Sequence, residues 1–458
     1  MATPSRAACL RIEDWAEAIR GGAPGPAGSP PGAAKIVAGI RAARAAGGPH
    51  LDSAVVRPGQ NQKFLPSPVD AGQRRLAIDM DYVQRVLLDL VAVPSPSGRT
   101  DHVMQLIGGE LQKLGIPFGV TRRGALLAEL ASPTAARDHA DRAVVVHADT
   151  IGCMVGALKD NGRLAVVPVG THSARFAEGA RVTIFSDDLA GDYRHTGTIL
   201  PLKASGHRFG DEVDTQGVGW DCVEVRVDEV VHDRAGLELL GIEVGDFVAI
   251  DAQAVITPGG FVNSRHLDDK AGVAAALGAF KAIVDAGVEV PVTAHLLVTI
   301  MEEVGLGASH GLDADVAELV SIDTSVVAPG QASSEQCVNI AMQDSTGPFD
   351  YHLTRHLLRL CQVHGVPHRR DVYKYYRSDA ASALEAGANT RAALIGFGID
   401  GSHGNERTHL DGIRSTAELV ALYLQTDLTF RSWDRTPTGD LRDFPSTAVQ
   451  PADEQGPR

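Results

Sequence analysis

The chain has 458 residues, which is enough for two or three domains and a large apolar core. Its hydrophobic content of 44% and charged content of 22% are typical of a soluble globular protein. The formal net charge of -15 argues against a nucleic-acid partner. No apolar run reaches the roughly 18 residues of a membrane span, and the chain opens without a signal pattern, so we expect no membrane association.

The cysteines are scattered and odd in number: Cys9, Cys153, Cys222, Cys337 and Cys361. None of them forms a C-x-x-C pair. This usage predicts free thiols in a reduced, cytoplasmic setting.

The first 79 residues differ from the rest of the chain. Residues 21–32 consist only of Gly, Ala, Pro and Ser, and such a stretch cannot bury enough apolar surface to fold. We predict a disordered extension over residues 1–79, and a chain that starts at Met80 is expected to fold and stay active. A flexible, polar tail is predicted over residues 431–458.

Helical and strand patterns alternate after Met80. Apolar residues at helical spacing predict a helix over residues 80–91, which Pro94 and Gly98 end, and a second helix from about Thr100. Apolar, β-branched runs predict buried strands at residues 143–146, 292–300, 319–322 and 392–397. Further helices are predicted at residues 271–286, 349–364 and 413–425.

Between residues 155 and 257 short β-rich runs alternate with turns. We therefore predict the α/β class, with a doubly wound mixed sheet interrupted by an all-β domain. The α/β domain is expected to comprise residues 80–154 and 258–430, and the inserted domain residues 155–257. The edge strands of a β domain are commonly covered by another subunit, so the inserted domain also predicts a homo-oligomer.

Two adjacent carboxylates, Glu302 and Glu303, follow the predicted strand at residues 292–300. Burying such a pair is costly unless a cation or a proton compensates for the charge. Neighbours on an extended chain point to opposite sides, so we expect one glutamate to bind a metal and the other to transfer a proton. The alternative is a solvated pair at the start of a helix, where carboxylates suit the helix dipole.

Other candidates lie at strand ends or beside turns: His147, Asp149, Asp268, Asp323 and His403. The carboxyl ends of strands in an open α/β sheet meet at one crevice, which is the usual ligand site. Histidine and carboxylate ligands together suit zinc, cobalt or manganese, and one aspartate can bridge two metals. Asp149 lies two residues after His147 and could orient its imidazole through a hydrogen bond.

Each candidate alone also has an ordinary structural explanation. His147 could be a buried histidine with satisfied hydrogen bonds, and Asp268 could cap a helix. Three other histidines compete with His403: His352, His356 and His409. The combination of five candidate ligands at successive strand ends and turns favours a metal site.

These residues belong to five segments that occur in a characteristic order: His147-Ala148-Asp149-Thr150-Ile151-Gly152, Leu267-Asp268-Asp269-Lys270-Ala271-Gly272, Glu302-Glu303-Val304-Gly305, Ile322-Asp323 and His403. The set resembles the glutamyl and tetrahedral aminopeptidases, which are co-catalytic metallopeptidases. The resemblance extends over about residues 80–430.

The resemblance implies an α/β catalytic domain interrupted by a barrel-like dimerisation domain. It also implies two divalent metal ions per subunit, with zinc first and cobalt or manganese as alternatives. Asp268 would bridge both metals, and Glu302 would be the catalytic carboxylate. The other ligands would divide between the two sites, with His147 and Asp323 at one and Glu303 and His403 at the other. The expected assembly is a homo-oligomer between a dimer and a dodecamer.

The chain also departs from the usual family pattern. Residues 402–409 replace the common His-Ser-Pro stretch, and residues 376–380 replace the usual two glycines before Thr-Asp-Ala. Both segments are expected to border the substrate pocket. The stretch Thr121-Arg122-Arg123-Gly124 resembles a bacterial subgroup associated with the osmoprotectant N-acetylglutaminylglutamine amide. That dipeptide has no free α-amine, so an ordinary aminopeptidase could not use it as its usual substrate.

Three functions remain open at this point. The first is a cytoplasmic two-metal aminopeptidase that acts on short peptides, with Glu302 and Asp149 as its catalytic residues. The second keeps the metals but hydrolyses N-acyl amino acids or terminal amides, and Arg377 would bind a carboxylate or amide oxygen. The third is a non-enzymatic, metal-bound scaffold, which Glu302 beside a complete ligand set argues against. A carboxylate-pair glycosidase would not need His147 and His403.

Overall fold

The computed structural model describes residues 73–133, 140–188, 191–312 and 315–429. Most of the predicted extension, and the predicted tail from residue 431, lie outside the described residues. Residues 73–79 are described and contact the α/β domain, where Arg75 pairs with Glu418 at 2.7 Å and Leu76 is buried. The expected boundary at residue 79 places these residues in the extension, although they contact the α/β domain. Amino-acid composition alone does not reveal such contacts.

The strands in the described residues are β1 Phe118–Val120, β2 Leu126–Leu130, β3 Asp141–His147, β4 Gly152–Leu158, β5 Leu164–Val169, β6 Arg181–Asp188, β7 Gly191–Pro201, β8 Val223–Val227, β9 Phe247–Ile250, β10 Val255–Ile256, β11 Phe261–Ser264, β12 Ala294–Thr299, β13 Val316–Ile322, β14 Ser325–Val326, β15 Val338–Asp344, β16 Gly347–Pro348, β17 His368–Val372, β18 Arg391–Ile399 and β19 Glu406–His409. The α-helices are α1 Met80–Ala92, α2 Asp101–Lys113, α3 Ala174–Ala177, α4 Gly206–Phe209, α5 Glu212–Thr215, α6 Arg234–Leu239, α7 Leu267–Asp285, α8 Tyr351–His364, α9 Asp379–Glu385 and α10 Leu410–Leu424. Short 3-10 segments lie at Trp220–Cys222, Glu302–Val304 and Gly307–Ser309.

A mixed sheet forms the centre of the α/β domain. Within the described ranges it has ten strands in the order β1-β2-β12-β3-β13-β18-β15-β16, with β14 beside β18 and β17 beside β15. The neighbours β12, β3, β13 and β18 are parallel, whereas β2 and β15 run antiparallel to β12 and β18. The four apolar runs predicted as buried strands are these four parallel strands, so the predicted α/β class is confirmed.

Both faces of this sheet are covered. In β3, Val144 contributes to a core with α1, α2, α7, α8 and α10, while Val145 contributes to a core on the other face with α9. Burial on both faces explains why the strand is continuously apolar rather than alternating. Helix α7 crosses α1 closely at Gly278, where a Cβ atom would lie 2.6 Å from Cγ2 of Val83.

Six strands in the described part of the chain close into a barrel in the order β4-β5-β8-β7-β6-β9. The barrel encloses its own apolar core, which includes Val182, Ile184 and Ile199. It lies between β3 and α7 along the chain, so it interrupts the α/β domain as predicted. The domain boundaries at residues 155 and 257 and the dimerisation role remain predictions.

A smaller sheet, β10-β11-β19, joins the segment before α7 to the segment after β18. Its register pairs Ser264 with Glu406. This pairing brings two distant parts of the sequence to the same edge of the main sheet.

No helix of the described residues has the length and apolar character needed to cross a membrane. Cysteines within the same ranges are free thiols: Cys153, Cys222, Cys337 and Cys361.

Candidate metal centre

The candidate ligands lie at the carboxyl edge of the central parallel strands. His147 ends β3, and Asp323 directly follows β13. Glu302 and Glu303 lie in the 3-10 segment that follows β12. The ends of adjacent parallel strands meet at one edge of the sheet, which is why residues far apart in sequence converge here.

Asp268, at the start of α7, lies between two histidines. His147 Nε2 is 3.2 Å from Asp268 Oδ1, and His403 Nε2 is 3.4 Å from Asp268 Oδ2. His403 Nε2 is also 3.5 Å from Glu303 Oε2, and His147 Nε2 is 3.8 Å from Glu302 Oε2. One carboxylate therefore presents a different oxygen to each imidazole, as a bridging ligand would.

Among the described residues, two groups of three side chains could surround a cation. The ligand atoms of His147, Glu302 and Asp323 lie within 4.8 Å of one another, and so do those of His147, Asp268 and Glu303. These groups contain four of the five sequence-predicted ligands, and the fifth, His403, lies 3.4 Å from Asp268. The geometry does not separate the roles of the two glutamates. The division of ligands between two sites remains a prediction.

Each histidine is oriented by a backbone carbonyl. His147 Nδ1 lies 3.0 Å from the carbonyl oxygen of Asp149, and His403 Nδ1 lies 2.7 Å from that of Thr171. A carbonyl oxygen can only accept, so Nδ1 donates in both cases and Nε2 faces the carboxylates. Metal-binding histidines characteristically have such a partner on the other ring nitrogen. Thr171 lies in the loop after β5, so the barrel contributes to this site.

Asp149 holds the backbone of the glutamate pair. Its carboxylate accepts the N–H groups of Glu302 and Glu303 at 3.1 and 3.3 Å and the Ser97 hydroxyl at 2.5 Å. Its Oδ1 is 3.6 Å from His147 Nδ1, which is longer than the bond that the imidazole makes to the Asp149 carbonyl. The hydrogen bond that orients the imidazole is therefore accepted by the Asp149 backbone carbonyl, whereas the Asp149 carboxylate positions both glutamates.

The electrostatics of the cluster reflect concentrated negative charge. Burial raises the pKa of Glu302 and Asp323 well above the usual range and that of Glu303 to about 7. Burial acts in the same direction on Asp268, but hydrogen bonds from both histidines hold its pKa below the ordinary value. For His403, burial opposes ionisation, yet the bond to Asp268 raises its pKa to about 10.

This donor set fits divalent cations. It combines imidazole nitrogen with carboxylate oxygen, the ligands that zinc and related metals accept. A cation would compensate for carboxylates that burial otherwise keeps from ionising. In addition, Asp269 Oδ1 is buried and has no hydrogen-bond partner in the described part of the structure.

Glu406 connects two candidate ligands and was missed as a site residue from the sequence. It is buried, and its Oε2 and Oε1 accept the backbone N–H groups of Asp268 and His403 at 3.2 and 3.0 Å. Burial raises the pKa of Glu406 to about 8. The available signal was alternation in β19, where Glu406 and Thr408 are buried and Arg407 is exposed.

Asp379 was also missed, although it lies in a stretch that was expected to border the substrate pocket. It is buried at the start of α9 and accepts the Thr299 hydroxyl at 2.5 Å and the Ala308 N–H at 2.8 Å. These bonds tie α9 to both ends of the segment that carries Glu302 and Glu303. Burial raises the pKa of Asp379 to about 6.

Two of the histidines that compete with His403 have other roles. His409 caps the start of α10, where its Nδ1 accepts the Asp411 N–H at 3.0 Å, and its Nε2 lies 2.9 Å from the Gly259 carbonyl oxygen. His356 Nε2 lies 3.1 Å from the Thr426 hydroxyl. These contacts are made outside the candidate ligand set, whereas His403 Nε2 lies 3.4 Å from Asp268 and 3.5 Å from Glu303.

The fold is shared with solved tetrahedral (TET) aminopeptidases. A TET aminopeptidase from a marine sediment archaeon, Thaumarchaeota archaeon SCGC AB-539-E09, has a TM-score of 0.67 and 17% identity, covering 75% of this chain and 96% of that one. The Pyrococcus horikoshii TET1 peptidase has a TM-score of 0.64 and 22% identity, covering 75% and 99%. That peptidase can assemble into a tetrahedron or a large octahedral shell.

Sequence comparison gives the family. The family model for M42 glutamyl aminopeptidases matches residues 124–419. The chain is 36% identical over 343 residues to the protein named "Putative aminopeptidase YhfE" of Bacillus subtilis (strain 168), covering 75% of this chain and 97% of that protein. The chain therefore belongs to the M42 glutamyl aminopeptidase family and is a hydrolase. The resemblance drawn from the five sequence segments is confirmed.

Proposed function

We propose that the protein is a two-metal aminopeptidase that removes the amino-terminal residue of short peptides. The observation that carries the proposal is the position of Asp268, whose two oxygens lie 3.2 and 3.4 Å from the two imidazole Nε2 atoms. Asp268 would bridge two ions, with zinc proposed first and cobalt or manganese as alternatives. The remaining ligands would be His147 and Asp323 at one ion and Glu303 and His403 at the other.

The bound ions would polarise the scissile carbonyl and lower the pKa of the attacking water. Glu302 would take the proton from this water and return it to the leaving amine. Its side chain is 11% exposed, compared with 3% for Glu303, so it is the more accessible member of the pair. Asp149 would keep both glutamates in place through their backbone N–H groups.

The second candidate is hydrolysis of an N-acyl amino acid or a terminal amide, as in the blocked osmoprotectant dipeptide, and the position of Arg123 favours it. The motif that resembles the osmoprotectant-associated subgroup lies beside the glutamate pair, since Arg123 is 3.1 Å from Met301 Sδ and 3.2 Å from the Ser309 hydroxyl. Arg377 does not support this candidate, because its guanidinium already binds both carboxylate oxygens of Glu385 at 3.1 and 2.6 Å.

We also propose a cytoplasmic homo-oligomer, between a dimer and a dodecamer, without nucleic-acid or membrane partners. The assembly of the structurally similar TET1 peptidase supports this. A closed barrel has no free edge strand, so apolar surface rather than a strand edge would form the contact. Val230, Leu239 and Val244 in the barrel region are 91%, 89% and 64% exposed. A monomeric mass by light scattering at micromolar concentration would contradict this assembly.

The function is tested by metal analysis of the purified protein and by a panel of dipeptides with free amines, N-acetyl groups or C-terminal amides. Cleavage of free-amine dipeptides alone supports the aminopeptidase. Cleavage of N-acetylated dipeptides supports the second candidate. Full metal occupancy without any cleavage would favour a metal-bound scaffold and refute both.

A further inference from the structure

Arg265 carries an unpaired positive charge beside the candidate metal centre. It lies in the linker between β11 and α7, three residues before Asp268. Its backbone is fixed, because its N–H donates to the Ala252 carbonyl at 2.9 Å and its carbonyl accepts the Ser264 hydroxyl at 2.7 Å. The side chain is partly buried, and no described residue forms a hydrogen bond or an ion pair with its guanidinium.

Glu406 is the nearby acid that could have neutralised this charge. Burial lowers the pKa of Arg265 and the Glu406 carboxylate raises it, so the two groups are within electrostatic range. Both oxygens of Glu406, however, accept backbone N–H groups, from Asp268 at 3.2 Å and from His403 at 3.0 Å. The guanidinium donors of Arg265 therefore remain available to a ligand.

Strand pairing places the backbone of Arg265 close to the centre, because its neighbour Ser264 on β11 pairs with Glu406 on β19, and Glu406 accepts the Asp268 N–H at 3.2 Å. Burial is the largest cause that lowers the pKa of His172, and the positive charges of His403 and Arg265 lower it further. His172 therefore lies within electrostatic range of both groups. His172 directly follows Thr171, whose carbonyl accepts the His403 Nδ1 proton at 2.7 Å. The His403 side chain is 30% exposed, so the cluster is open to solvent at this histidine.

We propose that Arg265 binds a carboxylate of the peptide substrate, which makes it a specificity-determining residue. The proposal rests on the peptidase function proposed above. A guanidinium presents a planar pair of donors that matches a carboxylate, and a partly buried arginine without a partner gains most from such a ligand. The carboxylate comes either from the peptide's C-terminus or from an acidic amino-terminal side chain, and the experiment separates these sources.

The test uses the full-length, zinc-loaded protein and three dipeptides: Gln-Gln, Gln-Gln amide and Glu-Gln amide. Gln-Gln differs from its amide only by the C-terminal carboxylate, and Glu-Gln amide differs from Gln-Gln amide only by the side-chain carboxylate. The variants are Arg265→Gln and Arg265→Lys. Arg175→Gln is the matched control, because it makes the same charge change at an exposed arginine on α3.

Arg265→Gln is expected to lower kcat/KM about tenfold to a hundredfold for one carboxylate substrate, mainly through KM, since a hydrogen-bonded charge is lost. Gln-Gln amide should change less than about twofold, and Arg265→Lys should recover part of the loss. A loss confined to Gln-Gln identifies the C-terminal carboxylate, and a loss confined to Glu-Gln amide identifies the side chain. Metal content should equal that of the wild type.

An equal loss of kcat for all three dipeptides would overturn the inference, because Arg265 would then only balance the charge of Glu406. Unchanged kinetics, or the same selective loss in Arg175→Gln, would also overturn it. If the wild type cleaves none of the dipeptides, the proposed function fails separately. Calorimetric binding of the same dipeptides then decides the inference, through selective weakening of a carboxylate ligand in Arg265→Gln.

Discussion

Replacing Glu302 by glutamine tests the proposed division of roles in the glutamate pair. Glutamine keeps the shape and can hydrogen-bond a water molecule, but it cannot take up its proton. A general base typically contributes about a hundredfold to ten-thousandfold in rate. At about 1.36 kcal/mol for each tenfold, this corresponds to a loss of roughly 2.7–5.4 kcal/mol of transition-state stabilisation.

Metal content should separate this variant from its neighbour. Glu302→Gln should keep both metals, because the proposed ligand set remains complete. Glu303 lies 3.5 Å from His403 Nε2, so Glu303→Gln should weaken one metal site and regain activity in excess metal. Asp268→Asn should be the most damaging, because Asp268 faces His147 and His403 and would serve both ions.

The measurements are metal stoichiometry and the single-turnover rate of each variant. Loss of metal in Glu302→Gln together with full occupancy in Glu303→Gln would reverse the assignment of the pair. Wild-type rates in both variants and in Asp268→Asn would refute a two-metal hydrolase at this site.

Three further outcomes follow from the contacts around the centre. Glu406→Ala should weaken metal binding about tenfold to a hundredfold in a metal titration, with a smaller loss in Glu406→Gln, which keeps one acceptor. Gly307→Ala should lower the melting temperature, since its Cβ would lie 1.9 Å from Asp379 Oδ1. Gly109→Ala in α2 is the control and should gain about 0.5–1 kcal/mol, because nothing lies within 4 Å of its Cβ. Finally, burial raises the pKa of Glu303 to about 7 and that of Asp379 to about 6, so folding retains protons that unfolding releases. The contribution of these two groups to the free energy of unfolding of the metal-free protein should thus be fully present near pH 4 and be lost as the pH rises through 6 to 7, which is the opposite of a carboxylate with a lowered pKa. Asp379→Asn, which cannot titrate, should therefore lose less stability than the wild type between pH 5 and 7, and an identical pH dependence of the melting temperature in both proteins would contradict the reasoning. Excess zinc should stabilise the protein more at pH 8 than at pH 5.

Local sequence was sufficient to find the central strands and the residues that end them. The runs that became β3 and β12 are continuously apolar because both faces of the sheet are covered, and this pattern is visible without a partner strand. A charged or imidazole side chain directly after such a run is conspicuous for the same reason. His147, Glu302, Glu303 and Asp323 were found in this way.

The sequence also indicated the inserted β domain, because short strands separated by turns differ in period from the surrounding helices. The strand pattern alone did not show that six of these strands close into a barrel, since closure depends on the pairing of β4 with β9, far apart along the chain. The family resemblance did imply a barrel-like domain, and the structure confirms it. The prediction of a homo-oligomer assumed strand edges that another subunit covers, whereas a closed barrel has no free edge strand.

Only the tertiary structure decided which polar groups support the candidate ligands. Glu406 reaches Asp268 because β19 pairs with β11, and Thr171 reaches His403 because a barrel loop lies against the α/β domain. Such contacts join residues more than a hundred positions apart and leave no local pattern. The unpaired guanidinium of Arg265 was likewise decided by the tertiary structure. Whether an arginine has a partner depends on what the surrounding carboxylates already bind.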